Sequence, residues 1–101
     1  MKTIIIEDEK LAAERLEDLI REIDPSIEIS TKLTSVEQSI KYLTQNKPDL
    51  IFLDIQLEDG LSFSIFENVD VDTPIVFTTA YDQYAIKAFK LNSIDYLLKP
   101  I

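Results

Sequence analysis

The chain has no cysteine and no histidine, and only one glycine among its 101 residues. Those two absences exclude disulfides, thiolate or imidazole metal sites, and any Cys/His or Ser/His nucleophile pair. Chemistry here falls to carboxylates, hydroxyls and amines. Basic residues are also scarce: ten Lys and Arg stand against nineteen Asp and Glu, a net charge of −9. Such a field repels nucleic acid and anionic lipid unless a basic patch overrides it, and no five-residue window is rich in Lys or Arg. Direct nucleic acid binding by this chain is therefore not expected, and the plain meaning of the acidity is a soluble surface. No apolar run approaches the roughly eighteen residues of a membrane span. The start "MKTIIIEDE" turns acidic before a signal-peptide core could develop. A cytoplasmic protein without membrane contact is the expectation.

What the chain does have is alternation. Its 46% hydrophobic content is arranged in two periods from end to end, with no composition shift to mark a linker, so residues 1–101 are read as one domain. Short apolar runs at Thr3 to Ile6, Ile27 to Ser30, Leu50 to Leu53, Ile75 to Thr78 and Tyr96 to Leu98 predict five strands. Between them, Leu16, Leu19, Ile20 and Ile23 share one face of a helix from Lys10 to Ile23, which Asp24-Pro25 ends. Ser35 with Gln38 forms a capping-box start for a helix to Gln45. Further helices are expected at Leu61 to Val69 and Gln83 to Lys90. Strands and helices in strict alternation imply parallel strands joined by right-handed crossovers, an α/β sandwich.

In such a fold the strand ends that lead into helices lie on one edge, where ligands bind. The first run exits into Glu7 and Asp8, the third into Asp54, the fourth into Thr79 and the fifth into Lys99. Taken singly each has an ordinary explanation. Asp8 and Thr79 suit helix caps, Glu7 and Glu9 suit the positive end of a helix dipole, Asp54 suits a turn, and Lys99 a solvated strand end. Together they ask for more, because caps need no lysine and clustered carboxylates repel unless a cation neutralises them. An all-oxygen cluster with few carboxylates suits Mg²⁺. A carboxylate, a hydroxyl and an ammonium beside it are equipped for phosphoryl transfer to an aspartate. Asp54, alone on the middle strand, is the expected acceptor, and the adjacent Glu7 and Asp8 the expected metal holders.

These residues resemble the receiver domains of two-component response regulators. The pair in "IIIEDE", the "FLDI" around Asp54, the "TTA" at Thr78 to Ala80 and the "DYLLKP" from Asp95 to Pro100 match in order and spacing along the whole chain. The resemblance implies a flavodoxin-like, doubly wound five-stranded parallel sheet of order 2-1-3-4-5. It implies Asp54 as phosphoacceptor, Asp8 as direct Mg²⁺ ligand, Glu7 holding the ion mostly through water, and the Gln56 backbone carbonyl as a further ligand. Thr79 is implied as the switch hydroxyl, Tyr96 as the aromatic that turns inward with it, and Lys99 as the phosphoryl clamp, followed by a cis peptide to Pro100. Tyr96 also fits simple core packing. Gln56 and Tyr81 occupy the two positions that tune phosphoryl lifetime. The implied partner is a sensor histidine kinase. "FTTAYDQYAIKAFKLNSIDYLLKPI" is similar to receivers joined to LytTR-type DNA-binding domains, so DNA would be reached only through an output domain absent from this chain. A fragment would belong to a transcription regulator; a complete chain would be a stand-alone receiver.

Two departures stand out. The family often carries D-x-x-M-P-x-x-D/S-G after the acceptor, whereas "DIQLEDG" lacks the Pro and is shorter by two residues, leaving the path of this loop open; Gly60 suits a positive-φ turn there. The sequence also stops at Ile101, where receivers continue into a fifth helix, and an uncovered face predicts association with a second copy or a partner. Among rivals, a haloacid-dehalogenase-type phosphatase needs a second Asp two positions after the first, and that position is Gln56. A flavin module needs a Ser/Thr/Gly-rich loop where this chain has "EDEKLA". A pseudo-receiver that only makes protein contacts would not need the full set of acids, Thr and Lys.

Overall fold

The computed structural model describes residues 1–80, 84 and 93–99. Five parallel strands form the main sheet: β1 (Lys2–Ile6), β2 (Glu28–Leu33), β3 (Leu50–Asp54), β6 (Ile75–Thr79) and β7 (Ser93–Leu98). Their spatial order is β2-β1-β3-β6-β7, which is 2-1-3-4-5 when these five are counted along the chain. β3 is therefore central. The inner strands are near-continuous apolar runs because both of their faces are covered. Successive side chains of β1 point to opposite faces. Ile4 and Ile6 join a core with Val36, Leu43, Leu53, Phe63, Ile65 and Phe77, while Ile5 joins Ala13, Leu16 and Ile20.

Helix α1 (Lys10–Ile23) runs over the expected residues and buries Ala13, Leu16 and Ile20 against the Ile5 side of the sheet. It ends where Asp24 N–H donates back to Ile20 O at 2.8 Å. There Asp24 Oδ1 accepts from Ser26 N–H at 3.0 Å and Ser26 Oγ at 2.6 Å, an Asx turn. Helix α2 (Val36–Gln45) starts at the expected cap, with Ser35 Oγ accepting from Gln38 N–H at 3.0 Å. With α3 (Phe63–Asn68) it covers the Ile4 and Ile6 side.

Several boundaries differ from the sequence expectation. β2 runs to Leu33 rather than Ser30 because it is an edge strand with alternating burial. Thr31 and Lys32 still pair with Ile4 and Ile5, and Lys32 reaches Glu17 of α1 at 2.5 Å. β7 begins at Ser93 rather than Tyr96, with Asp95 paired to Val76. α3 is shorter than Leu61 to Val69 because the preceding residues form a small hairpin, β4 (Gln56–Leu57) and β5 (Gly60–Leu61). On α1, Leu11 is exposed, and so is Ile23, which the sequence places on the apolar face but which is the last residue of the helix and projects past the sheet; on β7, Ile94 and Leu98 are exposed. No helix among the described residues is long and apolar enough to cross a membrane. Apart from Tyr84, the helix expected at Gln83 to Lys90 lies outside the described residues, as do Tyr81 and the peptide to Pro100.

Candidate functional site

The sheet's carboxyl edge gathers the polar residues that the strand ends deliver. Asp54 is the last residue of β3 and sits beside Thr78 in the β3–β6 register. It is only 7% exposed, so an apolar strand ends in a carboxylate held nearly out of water. Glu7 follows β1 and is 4% exposed. Its N–H donates to Leu33 O at 2.9 Å, and its Oε2 accepts from Glu9 N–H at 3.2 Å. Asp8 lies beside it on the exposed side. Asp8 does not cap α1: Glu9 occupies that position and makes no side-chain capping bond. The ordinary explanation for Asp8 thus fails in the structure.

Lys99 closes the cluster. Its N–H donates to Thr79 O at 2.7 Å, which fixes the residue beside the end of β6. Its ammonium pairs with Glu7 Oε1 and lies 3.3 Å from Asp54 Oδ2. Burial alone would lower the Lys99 pKa, but the Glu7 hydrogen bond and the Asp54 and Glu7 charges outweigh it and the net shift is upward. Asp8 is also raised above the ordinary carboxylate value. Partial loss of hydration is the largest cause, followed by its hydrogen bond with Glu7 and the Glu7 charge.

Glu7, Asp8 and Asp54 each offer one oxygen, and these oxygens lie within 4.8 Å of one another. A single ammonium cannot neutralise three carboxylates. The donor set is all oxygen, and loss of hydration, with the Glu7 hydrogen bond and charge behind it, already disfavours ionisation of Asp8. That chemistry fits a hard divalent cation such as Mg²⁺.

Thr79 is fully buried at the end of β6. Tyr96 is half-buried on β7, its ring 6.2 Å from Phe77. Phe77 lies 5.9 Å from Phe63, and Phe63 5.9 Å from Tyr84, so these aromatic rings form a connected row. Gln56 opens the hairpin after Asp54 and is half-buried. The structure thus brings together Glu7, Asp8, Asp54 and Lys99, sets Thr79 beside Lys99, and puts Tyr96 in contact with the core.

The sequence reading missed the hairpin. Leu57 pairs with Gly60 across a two-residue turn of Glu58 and Asp59, and Gly60 has φ +147. Asp-Gly before an apolar residue is a turn signal, but the two arms have only two residues each, too few to show a strand period.

Fold and site together define a doubly wound α/β module with an acid-and-lysine pocket at the carboxyl edge of its central strand. Residues 3–101 match the response regulator receiver domain, and the chain belongs to that family. It is 42% identical over 103 residues to the sensory transduction protein LytT of Bacillus anthracis, covering 99% of this chain and 42% of that protein. The LytT of Enterococcus faecalis gives the same identity and coverage. Among solved structures, the response regulatory domain of protein mrkE from Klebsiella pneumoniae superposes with a TM-score of 0.88 at 38% identity, covering 100% of this chain and 84% of that one. The chain spans 42% of the length of these LytT relatives.

Proposed function

We propose that this domain accepts a phosphoryl group on Asp54 from the phosphohistidine of a sensor kinase and passes the change to an output domain. The observation that supports this most is the convergence of Asp54, Glu7, Asp8 and Lys99 on one edge. In the transfer an Asp54 carboxylate oxygen attacks phosphorus in line. The bond from phosphorus to the donor breaks, and its electron pair leaves with the donor nitrogen. Asp54 is suited to this because its strand is clamped on both sides by β1 and β6, so little reorganisation precedes attack. Lys99 places its positive charge where phosphoryl oxygens gather, and the Thr79 hydroxyl is the donor that follows them. Asp8, Asp54 and the Gln56 carbonyl would hold Mg²⁺, with Glu7 acting through water; the ion supplies charge neutralisation for the transferred group. Tyr96 is the aromatic that moves with Thr79, and Gln56 and Tyr81 are the residues that tune the phosphoryl lifetime.

The LytT relatives are named as sensory transduction proteins. On that likeness the receiver unit of residues 1–101 works in the cytoplasm ahead of a LytTR-type domain that contacts DNA, and a second copy is a candidate partner. The central claim is tested by incubation with acetyl phosphate and Mg²⁺, followed by intact mass. One phosphoryl group is expected on the wild type and none on Asp54→Asn. Undiminished labelling of Asp54→Asn rules the assignment out.

A further inference from the structure

Asp59 lies in the turn of the β4–β5 hairpin, and none of the roles above uses it. Its Oδ1 accepts from Val36 N–H at 2.7 Å and its Oδ2 from Glu37 N–H at 3.1 Å. These are first-turn amides of α2, which a helix leaves without internal partners. The helix already has a local cap. Ser35 Oγ accepts from Gln38 N–H, and Gln38 Oε1 accepts from Thr34 N–H at 2.9 Å. Asp59 is thus a second, long-range cap. It is reinforced by Thr34 Oγ1, which lies 3.2 Å from Glu58 Oε1 in the same turn. The two backbone N–H donors hold the Asp59 carboxyl below its ordinary pKa, so at neutral pH it is ionised and faces the positive end of α2.

The other end of the hairpin is tied to the acceptor. Ile55, directly after Asp54, accepts at its carbonyl from Ser62 N–H at 2.7 Å, and Gln56 pairs with Leu61. The chain from Asp54 to Asp59 is therefore anchored at both ends, to the central strand and to α2. Such a doubly anchored segment fixes the path of Ile55 and Gln56.

We propose that Asp59 is a positioning residue of the phosphoacceptor site: by clamping the hairpin onto the first turn of α2, it holds the backbone after Asp54 in the arrangement that receives the cation. This rests on the reading of the pocket given above.

The test compares Asp59→Ala, Asp59→Asn and Ser35→Ala with the wild type. Mg²⁺ dissociation constants are read from amide chemical shifts, and acetyl phosphate labelling rates are measured at saturating Mg²⁺. Ser35→Ala removes a cap from the same helix end and leaves the hairpin clamp in place, so it carries the purely structural effect. Asp59→Ala is expected to weaken Mg²⁺ binding roughly tenfold, as loss of a group that orients a ligand does. Asp59→Asn, which keeps one acceptor oxygen, should fall between it and wild type, and Ser35→Ala should bind Mg²⁺ as wild type does despite a lower melting midpoint. The inference is overturned if Asp59→Ala binds Mg²⁺ like wild type, or if Ser35→Ala weakens binding as much. If Asp59→Ala does not fold, Asp59→Asn against Ser35→Ala decides on the same terms. A wild type that fails to bind Mg²⁺ would overturn the reading of the pocket itself; a wild type that binds while the Asp59 variants match it would overturn this inference alone.

Discussion

Asp8 is the residue on which the crowding at the sheet edge falls. Glu7 has the Lys99 ammonium as a direct partner and Asp54 has it at 3.3 Å, whereas Asp8 has a pKa raised first by partial loss of hydration and then by the Glu7 carboxyl beside it. A carboxyl whose folded pKa lies above the unfolded value binds protons more tightly in the native state. Its contribution to stability therefore falls as pH rises through the window just above 3.8. At neutral pH, without a cation, ionised Asp8 opposes folding. Asp8→Asn is accordingly expected to raise the melting midpoint in chelator and to weaken Mg²⁺ binding. The gain over wild type should shrink as pH is lowered toward 4. A lower midpoint in chelator would show that Asp8 stabilises the fold by some other contact.

Among the elements, the β4–β5 hairpin joins the acceptor strand to α2, and its geometry depends on one glycine. Gly60 has φ +147 and open space around the position a Cβ would take. A side chain there would meet no neighbour, so the penalty of substitution lies in the backbone alone. Gly60→Ala is expected to cost about 1–3 kcal/mol, the range for a residue held in a sparsely populated conformation. If the hairpin relaxes to avoid that cost, Asp59 should lose its hold on Val36 and Glu37. Amide hydrogen exchange at those two positions would then quicken in Gly60→Ala while exchange in β1 and β3 keeps pace with global stability. Unchanged melting and exchange would mean the hairpin does not need the glycine.

For the molecule as a whole, the central strand is both the centre of the core and the carrier of the acceptor. Ile51 and Leu53 are fully buried, and Asp54 continues the same strand. Anything that binds the folded edge and not the unfolded chain must therefore stabilise the entire domain. Mg²⁺ at a hundredfold excess over its dissociation constant should add about 2.7 kcal/mol, a midpoint rise on the order of 10 °C for a domain of this size. The rise should depend on the logarithm of Mg²⁺ concentration and be much smaller in Asp54→Asn. Thermal melts across a Mg²⁺ series, with a monovalent salt control for screening of the −9 charge, distinguish site binding from general ionic effects.

Local pattern determined much of this protein. The apolar runs of β1, β3 and β6 and the bounds of α1 fall where the sequence puts them, because a parallel strand buried on both faces and an amphipathic helix each write their period directly into the chain; of the face expected on α1, Leu16 and Ile20 are buried while Ile23, at its end, is exposed. The edge set of Glu7, Asp8, Asp54, Thr79 and Lys99 was legible for the same reason: each residue ends an apolar run or lies within two positions of its end, and parallel topology puts those ends on one side. Edge strands were harder, since β2 hides only alternate residues and its polar half resembles a loop. What only the tertiary structure decided was pairing between distant groups. The Lys99 contact with Glu7 spans 92 positions and the Asp59 bond to Val36 spans 23. A carboxylate that caps a helix from another element leaves no periodic mark in the sequence, because the partner amide is backbone and every residue except proline has one.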